Sequence, residues 1–363
     1  MDYITNDDTI IFNSNFNKKL DTKLISGYKK LIFSNYKLNE KLFEYYANDN
    51  FDGLEYRGSY FNKDVSILPP FLTHLTFGTF FNKDVSSLPP FLTHLTFGSE
   101  FNKDISILPP TLTHLTFGYH FNRNVSNLPP NITHLTFRGE FDQDVSVLPP
   151  FLTHLIFGTY FNQDVSNLPH SLTHLTFGDY FNKDVSVLPP FLTHLTFRGN
   201  FNKDISILPS TLTHLTFGYD FNQDISNLPP FLTHLTFDYH FNQQYNISPN
   251  IKYLKLNCNN LYIINSLPNS IAELELDKDF NLEMNNLPTS IKKLVINKKS
   301  EYNMNLNCLP DFIEELHLNY NYEKRILHIP SKLKKIVCCK DYPYINDFVI
   351  YDVETYNSFF DFV

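Results

Sequence analysis

Across residues 61–240 the apolar and polar positions repeat every twenty residues, nine times without a gap. In the copy that begins at Phe61, Leu72-Thr73-His74-Leu75-Thr76-Phe77 alternates. Leu75 and Phe77 fall on one face and His74 and Thr76 on the other, the pattern of a short half-buried strand. Gly78 follows as a turn signal in most copies. Upstream, Leu68-Pro69-Pro70 cannot lie inside a helix, because proline lacks a donor and biases its predecessor toward extended geometry. About ten residues separate Gly78 from the next Leu-Pro pair, too few for a crossover helix. Each copy therefore predicts one strand, one turn and an extended or single-turn return segment.

A fixed period of this length marks a solenoid, in which a unit cannot bury its apolar face alone and stacking makes the core continuous. Neighbouring strands are expected to lie parallel, about 4.8 Å apart. Phe61, Val65, Leu68, Leu72, Leu75 and Phe77 should point inward onto their equivalents. The asparagines that follow the first phenylalanine, Asn62 to Asn242 with Asp142 as the exception, read as a buried ladder satisfying main-chain groups in tight turns.

The pattern continues less regularly on both sides. Leu-Pro or Ile-Pro pairs at 267–268, 287–288, 309–310 and 329–330 precede strand-like stretches around Leu274, Leu294, Leu316 and Ile336, with another around Leu254. Outward positions Glu273, Lys293, Glu315 and Lys335 alternate in sign, so neighbouring strands should face opposite charges. Before the array, Lys30-Leu31-Ile32-Phe33 and Leu54-Glu55-Tyr56 resemble degenerate strands, and 39–46 suits a short helix with Asn39 as its cap. The expected organisation is an N-terminal cap with degenerate coils over 1–60, nine regular repeats over 61–240, degenerate repeats over 241–340 and a C-terminal cap over 341–363. That makes about sixteen coils.

Charge and composition narrow the function. The net charge of -9 leaves no basic face for nucleic acid. No apolar run is long enough to span a bilayer, and the acidic residues 1–8 lack the basic and apolar regions of a secretory leader. Cys258, Cys308, Cys338 and Cys339 form no C-x-x-C pair and read as reduced thiols, which points to the cytoplasm. No phosphate-cradling glycine loop or His-Glu-x-x-His motif is present. Asp64, Ser66 and His74 recur in most copies, whereas a catalytic triad needs one preorganised site. An enzyme is not expected, nor a cofactor.

Two rows remain as candidate partner-binding positions. His74, His94, His114, His134, His154, His174, His194, His214 and His234 occupy one slot and should form an imidazole column on the open face, mostly neutral near pH 7 because like charges so close cannot all protonate. The residues just after the strands vary and are rich in aromatics: Tyr60, Phe80, Tyr119, His120, Tyr160, Tyr180, Tyr219 and Tyr239. They suit interface anchors, though exposed loops also drift where nothing checks them. A metal-binding histidine stripe is the third reading; parallel imidazoles in a flat column do not converge on a tetrahedral site.

The combination Phe61-Asn62, Leu68-Pro69-Pro70 and Leu72-Thr73-His74-Leu75-Thr76-Phe77-Gly78 closely resembles the FNIP repeat, a relative of leucine-rich repeats found in social amoebae and in giant viruses that infect amoebae. The resemblance covers roughly residues 55–340, plainly in the nine regular units and more weakly beyond. It implies a mainly β, leucine-rich-repeat-like parallel-strand solenoid, a horseshoe or arc used for protein interaction, with few or no helices in the array. Some viral relatives carry an N-terminal F-box. Residues 1–60 show neither its Leu-Pro-x-Glu opening nor any tryptophan, so a ubiquitin-ligase adaptor role does not carry over. The expected function is a non-enzymatic protein-interaction scaffold for an unidentified protein, acting in the cytoplasm, a host's if the chain is viral. The alternative is a structural or expanded-family protein without a dedicated partner.

Overall fold

The computed structural model describes residues 2–39, 41–48 and 56–357, and the chain divides into two units, Met1–Lys183 and Asp184–Val363. The first unit opens with an antiparallel pair, β1 (Tyr3–Thr5) and β2 (Thr9–Phe12). From β2 onward every partner is parallel: β3 (Lys30–Phe33), then β4 (His74–Thr76), β5 (His94–Thr96), β6 (His114–Thr116), β7 (His134–Thr136), β8 (His154–Ile156) and β9 (His174–Thr176). Register is histidine to histidine and leucine to leucine, as in His74↔His94 and Leu75↔Leu95. A slip of one residue would turn the leucines to water, so burial itself sets this register.

The second unit is a parallel sheet of β10 (His194–Thr196), β11 (His214–Thr216), β12 (His234–Phe237), β13 (Tyr253–Leu256), β14 (Glu273–Leu276), β15 (Lys293–Ile296), β16 (Glu315–His317), β17 (Lys335–Cys339) and β18 (Asp352–Tyr356). Together the units supply about seventeen turns of a parallel-strand solenoid. Among the described residues helix is confined to three short pieces, α1 (Thr22–Ile25), α2 (Leu42–Asn48) and α3 (Leu261–Asn265), and one 3₁₀ turn at Ile345–Phe348. Among the described residues no helix is long and apolar enough to cross a membrane.

The six predicted inward positions are all buried: Phe61, Val65, Leu72, Leu75 and Phe77 at 1% exposure or less and Leu68 at 8%. Two phenylalanines per coil carry most of that volume. Phe77 at the end of one strand stacks on Phe81 at the start of the next coil, with ring centroids 3.6 Å apart, and the pairing recurs at 3.7 Å for Phe97–Phe101 and Phe137–Phe141. Aromatic pairs at these separations add roughly 0.5–1.5 kcal/mol each beyond the area they bury. Glycine at the strand end is demanded by the stacking: a Cβ on Gly98 would lie 1.9 Å from the carbonyl oxygen of Gly78 in the preceding coil.

Polar ladders close the remaining main-chain accounts. The Asn62 side-chain oxygen accepts the Asn82 amide (3.1 Å), Asn82 does the same for Asn102 (3.1 Å), and Asp142 takes over the role toward Asn162 (2.8 Å). The row is half-buried rather than buried, and it links coils. At the next corner the Asp64 carboxylate accepts the Ser66 amide (2.9 Å) and hydroxyl (2.8 Å), a turn repeated in most copies.

The N-terminal region differs from expectation in one respect. Strand β4 pairs directly with β3, and Tyr56 makes an isolated antiparallel bridge to Tyr36; Leu54 and Glu55, the rest of the strand expected at 54–56, lie outside the described residues. Helix α2 begins at Leu42, three residues after Asn39, and Glu40 lies outside the described residues.

Candidate functional site

Within each unit the strands turn one face to water, and that face carries the histidine row. In the first unit adjacent imidazoles lie face to face, 4.1 Å apart for His74–His94 and 4.2 Å for His94–His114, His114–His134, His134–His154 and His154–His174. In the core of the same coils the Phe61 and Phe81 rings are 6.2 Å apart. In the second unit His194, His214 and His234 continue the arrangement at 4.0 Å, followed by Tyr253 at 5.4 Å.

Each histidine has one nitrogen committed. Thr93 Oγ1 lies 3.1 Å from the carbonyl oxygen of Thr73 and 2.9 Å from His94 Nδ1. The single hydroxyl proton can go to the carbonyl, with Nδ1–H then donating to Oγ1, or to Nδ1 itself, and either arrangement orients the ring. The imidazole is thereby held through Nδ1, which leaves Nε2 as the nitrogen free for an outside partner. The same pair of contacts recurs for Thr113–His114, Thr133–His134, Thr153–His154, Thr213–His214 and Thr233–His234. Burial, and then repulsion from neighbouring imidazoles, pushes His94 and His154 down to about 4; His114 and His134 are lowered for the same reasons, His74 by burial and Lys30, and His174 by burial. At neutral pH the first unit's column is an uncharged strip of imidazoles beside a row of threonine hydroxyls.

Farther along the second unit the strand face becomes a lattice of opposite charges. Lys293 pairs with Glu273 (2.9 Å), Lys335 with Glu315 (3.9 Å) and Glu354 (2.6 Å), and Lys255 with Glu275 (2.7 Å) and Asp277 (2.8 Å). The alternation of Glu273, Lys293, Glu315 and Lys335 in sequence thus appears as cross-strand ion pairs.

The variable aromatics gather on the loop edge that follows the strands. Tyr60, Phe80, Tyr119, Tyr160 and Tyr180 in the first unit and Tyr219 and Tyr239 in the second are each 38% to 50% exposed. They stack on one another: Tyr60–Phe80 at 5.0 Å, Tyr160–Tyr180 at 5.1 Å and Tyr219–Tyr239 at 5.2 Å. Tyr119 bridges a wider gap, edge-on to Tyr160 at 6.5 Å. His120 lies between Glu140 (3.1 Å) and Glu100 (3.6 Å).

A second aromatic row escaped the sequence reading. Phe71, Phe91 and Phe151 in the first unit and Phe191 and Phe231 in the second are 53% to 73% exposed, on the edge that precedes the strands. The signal was present, since each precedes a buried leucine and so points the other way. Polar residues in that slot have a structural task instead: the Thr111 hydroxyl lies within hydrogen-bond reach of the carbonyls of Pro90 (2.8 Å) and Leu92 (2.6 Å), to one of which its single proton goes, and Ser171 is placed in the same way toward Pro150 and Leu152.

Among the described residues no three His, Cys, Asp or Glu side chains are placed to hold a metal ion. Asp64 is engaged by Ser66, and His74 by Thr73. All four cysteines are free thiols.

A family model described as FNIP Repeat matches residues 81–120, 121–160, 144–180, 181–220, 245–279 and 259–299. Among solved structures, the giant-virus protein CroV588, described as a novel circular LRR protein, is 34% identical with a TM-score of 0.67; the match covers 94% of this chain and 58% of that one. The chain thus spans 58% of the length of CroV588. The internalin InlF of Listeria monocytogenes is 21% identical over 78% of this chain and 85% of its own, with a TM-score of 0.50, a likeness of fold. No curated protein sequence matches the chain.

Proposed function

Because the chain belongs to the FNIP repeat family, we propose that it is a non-enzymatic scaffold that binds a protein partner along the strand face and the loop edge that follows it. The observation that carries this reading is the run of half-exposed, mutually stacked aromatics on that edge. Tyrosine brings a large apolar area with little rotamer freedom to lose, which is why it anchors interfaces. Beside it, the histidine and threonine rows offer hydrogen-bonding groups held in place by their own contacts, so little ordering is needed on binding. The four free thiols fit a reducing cytoplasm.

Affinity capture from an amoebal lysate tests the proposal. The wild-type chain should enrich one partner saturably, and exchange of Tyr160, Tyr180, Tyr219 and Tyr239 for serine should abolish the enrichment. Equal enrichment by both, or none by either, would favour a chain kept by duplication without a dedicated partner.

A further inference from the structure

In the first unit a cleft of ≈ 580 Å³ opens over the C-terminal ends of β4 to β6. Tyr36, Tyr46 and Tyr56 line one part of it and Tyr119 and Arg138 another, with Thr76, Thr96, Thr116 and the backbone of Gly98 and Gly118 also facing it. Its size falls within the roughly 300–1,000 Å³ of ligand sites. Arg138 is the one charged side chain among the lining residues, and it has no ion-pair or hydrogen-bond partner among the described residues. The carboxylates of Glu100 and Glu140 lie beside His120, at 3.6 Å and 3.1 Å. The tyrosines are held in place: Tyr46 donates to Ser34 Oγ (3.0 Å), and the Tyr56 hydroxyl lies 2.6 Å from Thr79 Oγ1.

Arg138 also breaks the repeat. Positions 78, 98, 118, 158 and 178 are glycine, and here the glycine has moved one residue on, to Gly139. A Cβ on Gly139 would lie 2.4 Å from the Tyr119 ring. One exchange of order therefore supplies a cation and makes room for the fourth tyrosine.

We propose that this cleft receives an acidic side chain, flanked by apolar residues, from an extended segment of the partner protein. The proposal rests on the reading of the chain as a binding scaffold. The guanidinium has the geometry to take a carboxylate in two hydrogen bonds, the threonine hydroxyls can donate to it, and the phenol rings give flat walls for the flanking residues.

The test uses the full chain and an array of short peptides in matched pairs, Glu or Asp against Gln or Asn at the centre. The wild type should prefer the acidic member by about tenfold or more, in line with a charge-assisted contact. Arg138→Gln should lose that preference, and Gly139→Ala should weaken it by displacing Tyr119 while keeping the arginine. Arg198→Gln, at the equivalent position of the second unit, should keep it. Equal binding of acidic and amide peptides, binding of neither, or an unchanged preference in Arg138→Gln overturns the cleft. A partner captured saturably by both wild type and Arg138→Gln would overturn it too, while leaving the scaffold reading intact.

Discussion

Mild acid should weaken the first unit through its imidazole column before carboxylates contribute. The unfolded chain takes up protons on histidine near the ordinary value of 6.5, whereas folding pushes His94 and His154 down to about 4. Between those values the unfolded state binds more protons than the native one, so stability falls as pH drops and recovers as it rises. Each of the two shifts corresponds to about 3 kcal/mol in the limit. Because the rings also reach water, screening brings this to roughly 1–2 kcal/mol apiece. His74, His114, His134 and His174 are shifted in the same direction and add to the loss. The corner aspartates act in a different window. Asp64, Asp84 and Asp104 are lowered from 3.8 by the serine two residues on, so their contribution is lost only in stronger acid. Urea unfolding followed by circular dichroism should show the wild-type midpoint falling from about pH 7 to about pH 4.5. His94→Gln with His154→Gln should flatten that dependence. If the double variant falls as steeply as the wild type, or if the wild-type midpoint does not move, the stacked neutral column is refuted.

Leu155 in β8 is fully buried, so Leu155→Ala should cost about 2–5 kcal/mol by urea unfolding, whereas a loss below about 1 kcal/mol would argue against a shared core. Gly158→Ala would place a Cβ 1.7 Å from the Arg138 carbonyl oxygen and should destabilise clearly, while Gly27→Ala, with nothing within 4 Å, should stay within about 0.5 kcal/mol. Asn102→Ala removes the acceptor of the Asn122 amide and should cost about 1–2 kcal/mol, checked by the same unfolding assay. Tyr160→Ser and Tyr180→Ser should leave the unfolding midpoint nearly unchanged, since both rings sit on the surface, and lower partner binding measured by anisotropy.

Where the chain repeats, its structure was legible. Alternation placed Leu75 and Phe77 inward, and the period of twenty aligned His74 with His94, because a parallel stack offers each coil the same environment. The Glu273 and Lys293 pairing could be read from sign alone. What stayed hidden depends on contacts made once. The β1–β2 hairpin and the direct β3–β4 pairing have no second copy to reveal them. The Tyr36, Tyr46, Tyr56 and Arg138 cleft joins residues about a hundred positions apart. The threonine contact that holds each histidine through Nδ1 is a matter of geometry that spacing cannot express.

Site-specific photo-cross-linking tests the functional claim most directly. A benzoylphenylalanine at Thr136 on the strand face, or at Tyr160 or Tyr180 on the loop edge, should link to the same partner. At Ser126 or Ser166, on the Asx-turn corner, it should give no adduct. Cross-links that arise from the serine corners while Thr136, Tyr160 and Tyr180 stay silent would contradict the account.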